Sequence, residues 1–353
     1  MNRSSVDNLT GVRFLAAGIV VLYHYMNSSD YSAPFFIKNI IKHGYIGVNF
    51  FYILSGFILT YNYGSSSFTS IASRLNFWRA RFARVYPLYL LTFLNMSIIL
   101  IMRAFSKGEF ADFFNLKNNL YMFFYLLGLQ NWFVYFTGLL HVPSWSISCE
   151  IFFYLMFPFL ICFVEKIKNM KIGIFILWLT MVFVTIFLKS LSVPGDWILV
   201  VKFFPLIHLP IFMMGMILGE IQKKGGEVNW LLFIMSVIIV VLGLGFDLVP
   251  YILLHNGIMS PFFLIIILFL TNSKNKCLNF VFSNKVSVYL GEISYSVYLI
   301  HGPIWLICYK IIPLRGYLFF SLYILITILL SSICYQFVEI PVRSIINKKI
   351  KFS

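Results

Sequence analysis

A series of long apolar runs, separated by short polar gaps, constrains this chain more than any other feature. A transmembrane helix needs ~20 mostly apolar residues. Eleven runs are candidates: 9–27, 44–62, 85–103, 119–137, 146–164, 172–190, 197–220, 229–246, 250–271, 288–312 and 317–339. The residues are 60% hydrophobic and 11% charged, against ~45–50% and ~25% in ordinary soluble domains. That balance excludes a secreted or cytosolic globular enzyme, a disordered regulator and a nucleic-acid-binding domain. The 40 Phe and 21 Tyr suit lipid-facing helices with aromatic belts at the interfaces. The expected fold is an all-α polytopic membrane protein. A single membrane domain is expected over 1–343, with a basic cytoplasmic tail over 344–353. The first run lacks a small-residue cleavage signature and contains Arg13, so it reads as a retained span.

The net charge of +15 sits mostly in the gaps between runs, where topology determinants belong, and so implies no nucleic-acid partner. Arg74, Arg79, Arg81 and Arg84 place the gap 63–84 in the cytoplasm, and Arg343, Lys348, Lys349 and Lys351 place the tail there. Counting back from the tail puts Lys274, Lys276 and Lys285 inside, then Lys223 and Lys224, then Lys166, Lys168 and Lys171. Asp196 and Asp247 come out outside. Counting forward from a cytoplasmic N-terminus with eleven crossings puts the Lys166–Lys171 loop outside, so one run between 85 and 164 should not cross. The run 119–137 carries Gln130, Asn131 and Trp132 at its heart, and is expected to be re-entrant or interfacial. About ten full spans remain, in the inner (plasma) membrane, with both termini cytoplasmic. Cys149, Cys162, Cys277, Cys308 and Cys334 form no CxxC pair and read as small buried hydrophobes, with no metal expected.

Ionisable groups at membrane depth are costly and usually functional. Arg13 and His24 share the first run, eleven positions apart. That is close to three helical turns, so both point the same way, about 16 Å apart along the axis. Arg13 then lies toward the cytoplasmic leaflet and His24 toward the outside. Glu150 opens the run 146–164 at a depth comparable to His24, where a carboxylate can fix an imidazole's tautomer and raise its basicity. Glu339, near the cytoplasmic end of the last run, matches Arg13 in depth and is either a helix-end ion pair or a catalytic group. Arg79, Arg81 and Arg84 form a dense cationic patch, expected at the helix N-terminus that opens the third span. Guanidiniums make paired charge-assisted bonds to phosphate, and a helix N-terminus adds its dipole. His301 after Tyr298 lines a polar path or is a satisfied core histidine. Asn49 places an amide in the second run. Ser55-Gly56 and Gly215-x-x-x-Gly219 read as close helix packing. Asn27-Ser28-Ser29 is a short glycosylation-type match.

Six stretches, in order along nearly the whole chain, together resemble the acyltransferase family 3, integral-membrane O-acyltransferases of bacterial glycans and some animal proteins. They are Leu9–Arg13 through Tyr23-His24; Gly47–Phe57; Arg81–Arg84 with Val85-Tyr86-Pro87; Trp145–Glu150 with Phe153-Tyr154; Ile293–His301; and Val338–Pro341. The family's Arg-x10-His pattern falls on Arg13 and His24, and its Arg-x-x-Arg pattern on Arg81 and Arg84. Thr10 and Asn49 stand where such proteins often have Asp. Some relatives carry a fused extracytoplasmic hydrolase-like domain, and none is expected here.

The resemblance implies transfer of an acetyl group from cytoplasmic acetyl-CoA, a co-substrate, to a hydroxyl of a cell-surface glycan, O-antigen sugar or lipid-linked oligosaccharide precursor. No metal is expected, and the expected partners are that acceptor and membrane lipid. His24 is the candidate general base, with Glu150 and Glu339 as candidate catalytic carboxylates. Arg13, Arg79, Arg81 and Arg84 are candidates for the donor phosphates. Asn49, Trp145, Ser146, Tyr298 and His301 are candidates for substrate binding. The competing reading is a transporter or flippase of glycan precursors that uses the same Arg, His and Glu as a proton or substrate path.

Overall fold

The computed structural model describes residues 3–27, 33–109, 115–133, 142–191, 197–273 and 275–351. Ser28 and Ser29 of the glycosylation-type match, Asp196, Lys274, residues 134–137 of the fourth apolar run and the last two residues of the tail lie outside them.

The described residues are predominantly helical, without strands. Eight helices are long and apolar enough to cross a membrane: Asp7–Met26, Gly44–Asn62, Ile71–Ser106, Trp145–Val164, Met170–Ser190, Ile198–Lys223, Tyr251–Asn272 and Gly316–Ile346. The runs at 229–246 and 288–312 form helices of 16 and 18 residues, Trp230–Gly245 and Ser294–Ile311. The described part of the fourth run lies in an 11-residue helix, Leu116–Leu126, stopped where Gly128 takes φ +69°, and in a short 3-10 turn, Gln130–Trp132. The helix's rise of about 16 Å is half of the ~30 Å hydrocarbon thickness.

Contacts within the chain group into two compact units. The first comprises Met1–Thr69, Met156–Ser192 and Leu206–Tyr298; the second comprises Ser70–Leu155, Val193–Pro205 and Leu299–Ser353.

In the first unit, α1 (Arg3–Asn27) packs against the short helices Lys276–Phe282 and Lys285–Glu292 and against the helix Gly47–Asn62. Small residues set the closest approaches. A Cβ on Gly56 would strike the Phe212 carbonyl, and one on Gly215 the Ile53 carbonyl, so these two helices touch backbone to backbone. Buried amides donate to carbonyls near helix ends. Asn8 Nδ2 donates to Leu270 O (3.3 Å), Asn39 Nδ2 to Gly245 O (3.0 Å), and Asn49 Nδ2 to Leu254 O (3.0 Å). Lipid supplies no water to satisfy such groups, so polar side chains must.

In the second unit, the 36-residue helix Ile71–Ser106 starts at a capping box in which Ser70 Oγ accepts from Ser73 N. It holds the helix Leu116–Leu126 through Tyr86 Oη, which donates to Leu126 O (2.8 Å), and through Tyr89 Oη, which donates to Tyr125 O. Gln130 and Asn131, the polar heart of the fourth run, are buried. Gln130 Nε2 donates to Ser144 O (3.1 Å) and Asn131 Nδ2 to Trp145 O (2.6 Å). Both tie this segment to the start of the helix Trp145–Val164. After Gly316–Cys334 the chain makes a π-helical turn, Tyr335–Glu339, before its final helix Ile340–Lys351. The wider turn shifts the helical register, leaving Phe337 73% exposed and Glu339 only 2% exposed.

Candidate functional site

His24 lies near the end of α1 and is half-buried. Its Nδ1 sits 2.9 Å from the carbonyl oxygen of Val20, one turn earlier. A carbonyl only accepts, so Nδ1 carries the proton and Nε2 is the basic nitrogen of the neutral ring. The backbone thus supplies the tautomer control that the sequence suggested a carboxylate would give. Arg13 is half-buried on the same helix.

Beside His24 the first unit gathers a run of rings. Tyr23 packs against His24 (centroids 5.0 Å apart) and against Tyr45 (5.3 Å). Tyr45 stacks on His255 (5.6 Å), His255 meets His208 (5.8 Å), and His208 meets Tyr52 (5.7 Å). Buried His43 joins from the side, with Nδ1 3.0 Å from Tyr45 Oη and Nε2 2.7 Å from Asp247 Oδ1. Lys42 Nζ donates to the other Asp247 oxygen at 2.7 Å. Asp247 lies in the connection between apolar helices. The Lys42 hydrogen bond, then that of His43, holds its carboxyl below the usual carboxylate value. Sequence reasoning singled out none of His43, Tyr45, His208 and His255. The available signal was three imidazoles at or near membrane depth in the apolar runs.

The arginine cluster belongs to the second unit. Its helix begins at Ile71, so Arg79, Arg81 and Arg84 stand two to four turns inside it, not at its N-terminus as the hydropathy boundary suggested. A macrodipole contribution falls off within the first turn, so the guanidiniums themselves supply the field. Arg79 is exposed, whereas Arg81 and Arg84 are half-buried. The Arg81 guanidinium lies 5.7 Å from the Phe77 ring centroid.

Arg79 and Arg81 border a cavity of about 690 Å³ whose other walls include Trp78, Phe82, Ile151, Tyr154 and Ile346. This volume is in the range of small-molecule sites, ~300–1,000 Å³. Tyr154 links the cavity to Glu150, because its hydroxyl donates to Glu150 Oε1 one turn back. Trp78 Nε1 donates to Tyr154 O (3.1 Å) and fixes that wall. Arg81 and Arg84 both act electrostatically on Tyr154. The structure therefore brings Arg79, Arg81, Arg84, Tyr154 and Glu150 into one neighbourhood. Tyr154 had entered only as part of a motif.

The remaining candidates have local partners. Glu339 forms an ion pair with Arg343, Nη2 to Oε2 3.5 Å, within the second unit. Trp145 packs on Phe203 (5.0 Å), and Ser146 Oγ donates to Pro143 O (3.1 Å). His301 is buried and its backbone carbonyl accepts from Tyr323 Oη (3.2 Å). Tyr298 packs its ring 6.3 Å from that of Phe51 in the first unit. Asn49 is buried, and its amide donates to the Leu254 carbonyl.

A family profile described as an acyltransferase domain matches residues 6–336. Among curated proteins, the chain is 34% identical to the acyltransferase MdmB of Streptomyces mycarofaciens, over 46% of this chain and 41% of that protein. It is 24% identical to the peptidoglycan O-acetyltransferase OatA of Listeria monocytogenes, over 97% of this chain and 56% of that protein. It is 27% identical to the O-acetyltransferase OatA of Staphylococcus aureus, over 96% of this chain and 57% of that protein. The chain thus spans about half the length of these relatives. No solved structure matches it.

Proposed function

Because the chain belongs to the family of acyltransferase domains, we propose that it is a membrane O-acyltransferase. In this reading it moves an acetyl group from cytoplasmic acetyl-CoA to a hydroxyl of a cell-surface glycan or its lipid-linked precursor. The membrane is the plasma (inner) membrane, with both termini cytoplasmic. The relatives named for O-acetyl transfer support the class of reaction.

The observation that carries the reading is the His24 ring, a helix-held imidazole whose Nδ1 is committed to Val20 O, so that Nε2 is its base. Nε2 accepts the proton of the acceptor hydroxyl as the oxygen attacks the thioester carbonyl. A C–O bond forms, the C–S bond breaks, and the proton passes to the departing thiolate, which leaves as free thiol. Donor phosphates are assigned to Arg81 and Arg84, with Arg79 in support. The cavity bordered by Arg79 and Arg81 supports this assignment, since its lining pairs cations with mostly apolar side chains suited to an uncharged arm. Glu150, held by Tyr154, is assigned as the supporting carboxylate.

The test is His24→Ala. Mass spectrometry of surface glycans should show acetylation abolished with membrane expression intact, and normal acetylation would refute the role. Release of free thiol from acetyl-CoA by the purified protein separates this reading from a transporter.

A further inference from the structure

Arg343 lies beyond the residues that the family profile matches, and no motif quoted above contains it. Three features place it beside the arginine cluster. Its helix, Ile340–Lys351, packs on Ile71–Ser106, which carries Arg79, Arg81 and Arg84. Ile346, three positions on and hence on the same helix face, lines the cavity that Arg79 and Arg81 border. Arg343 also interacts electrostatically with Arg84 and Arg81 across that packing.

Its own engagement is incomplete. Nη2 reaches Glu339 at 3.5 Å, longer than a good charge-assisted bond. Nε is buried with no hydrogen-bond partner among the described residues, and a buried donor in that state calls for an acceptor. Four guanidiniums, Arg79, Arg81, Arg84 and Arg343, stand against two carboxylates, Glu150 and Glu339, leaving two net positive charges. Clustered like charges repel, and an anion with several oxygens relieves both the repulsion and the orphaned donor.

We propose that Arg343 is a further guanidinium of the donor phosphate site, and that Glu339, turned inward by the π-helical turn Tyr335–Glu339, is the positioning residue that holds it there. The proposal rests on the reading that Arg81 and Arg84 take the phosphates of an acyl thioester. The ligand class is a thioester bearing a diphosphate. Glu339 does not meet the substrate; it keeps the Arg343 fork aimed.

The test uses the full chain in lipid nanodiscs, with thiol release followed from two thioesters: acetyl-CoA and the phosphate-free S-acetyl-N-acetylcysteamine. Arg343→Gln should raise KM for acetyl-CoA by about ten- to a hundredfold, the worth of a charge-assisted hydrogen bond. It should leave kcat within about threefold and turnover of the phosphate-free thioester unchanged. Arg343→Lys keeps the charge but loses the planar fork, so its KM should fall in between. Glu339→Gln should raise KM in the same donor-specific way, by less. If Arg343→Gln does not fold, Arg343→Lys carries the comparison. A wild-type KM in both Arg343 variants, or equal losses on both thioesters, would overturn the proposal. If Arg81→Gln and Arg84→Gln raise KM while Arg343→Gln does not, this inference alone fails. If the wild type releases no thiol from acetyl-CoA, the underlying reading fails and takes this inference with it.

Discussion

Tyr154→Phe isolates one hydrogen bond at the cavity. The tyrosine hydroxyl donates to Glu150 Oε1, while its ring forms part of the cavity wall and its backbone carbonyl accepts from Trp78. Phenylalanine keeps the ring and the backbone bond and removes only the donor. A hydrogen bond to a charged group is worth about 1.5–3 kcal/mol. Glu150 is half-buried, so water replaces part of what is lost, and the lower end applies: ~1.5 kcal/mol, or about a tenfold effect. With Glu150 proposed as the supporting carboxylate, that loss belongs in kcat, because the carboxylate keeps its place but wanders from its productive orientation. The assay is acetyl-CoA-dependent thiol release by purified protein in the presence of acceptor. The expected result is kcat about tenfold down, KM for acetyl-CoA within about twofold and an unchanged apparent melting midpoint. A kcat equal to wild type, in a background where Glu150→Gln is severely impaired, would refute the positioning of Glu150 by Tyr154.

Other perturbations test the scaffold and its charges. Gly215→Leu forces a side chain into the Ile53 carbonyl; overpacking of this kind costs ~1–3 kcal/mol or more, and a lower apparent melting midpoint in detergent is the readout. Asn131→Leu removes the donor to Trp145 O and should cost about 1 kcal/mol, again read as a lower midpoint, whereas unchanged stability would deny this amide its anchoring role. Asp247 ionises more readily in the folded chain than in the unfolded one, because Lys42 and His43 hydrogen-bond to it. Its stabilisation is therefore fully present above the ordinary carboxylate pKa of ~4 and is lost as pH falls through the lower folded value. Melting midpoints from pH 6 to pH 3 should fall more steeply for wild type than for Asp247→Asn, with the variant already the less stable near pH 6; parallel curves would contradict the linkage.

Hydropathy located the membrane helices because each long apolar run has few other ways to satisfy its backbone in lipid. The polar triplet Gln130-Asn131-Trp132 marked the place where the described helix gives way, since buried amides must find carbonyls, and Ser144 and Trp145 provide them. Gly56 and Gly215 were legible as packing positions because only glycine tolerates a neighbouring backbone at that distance. The start of the third span was misplaced because residues 71–84 continue the helix with Ser and Arg, which hydropathy scores as a gap. The ring run through Tyr23, Tyr45, His255 and His208 joins residues more than two hundred positions apart, so no local pattern announces it. Nor does periodicity foresee a π-helical turn, yet that turn decides whether Glu339 faces inward.

In the proposed mechanism an acyl thioester on the cytoplasmic face reaches a hydroxyl on the opposite face by way of His24. Sealed inside-out membrane vesicles, given labelled acetyl-CoA in the bath, keep the two faces apart. Label should become ester-linked to lumenal glycan without permeabilisation in wild-type vesicles, and His24→Ala vesicles should incorporate none. Labelling that requires broken vesicles, or that persists in the His24→Ala membranes, would contradict it.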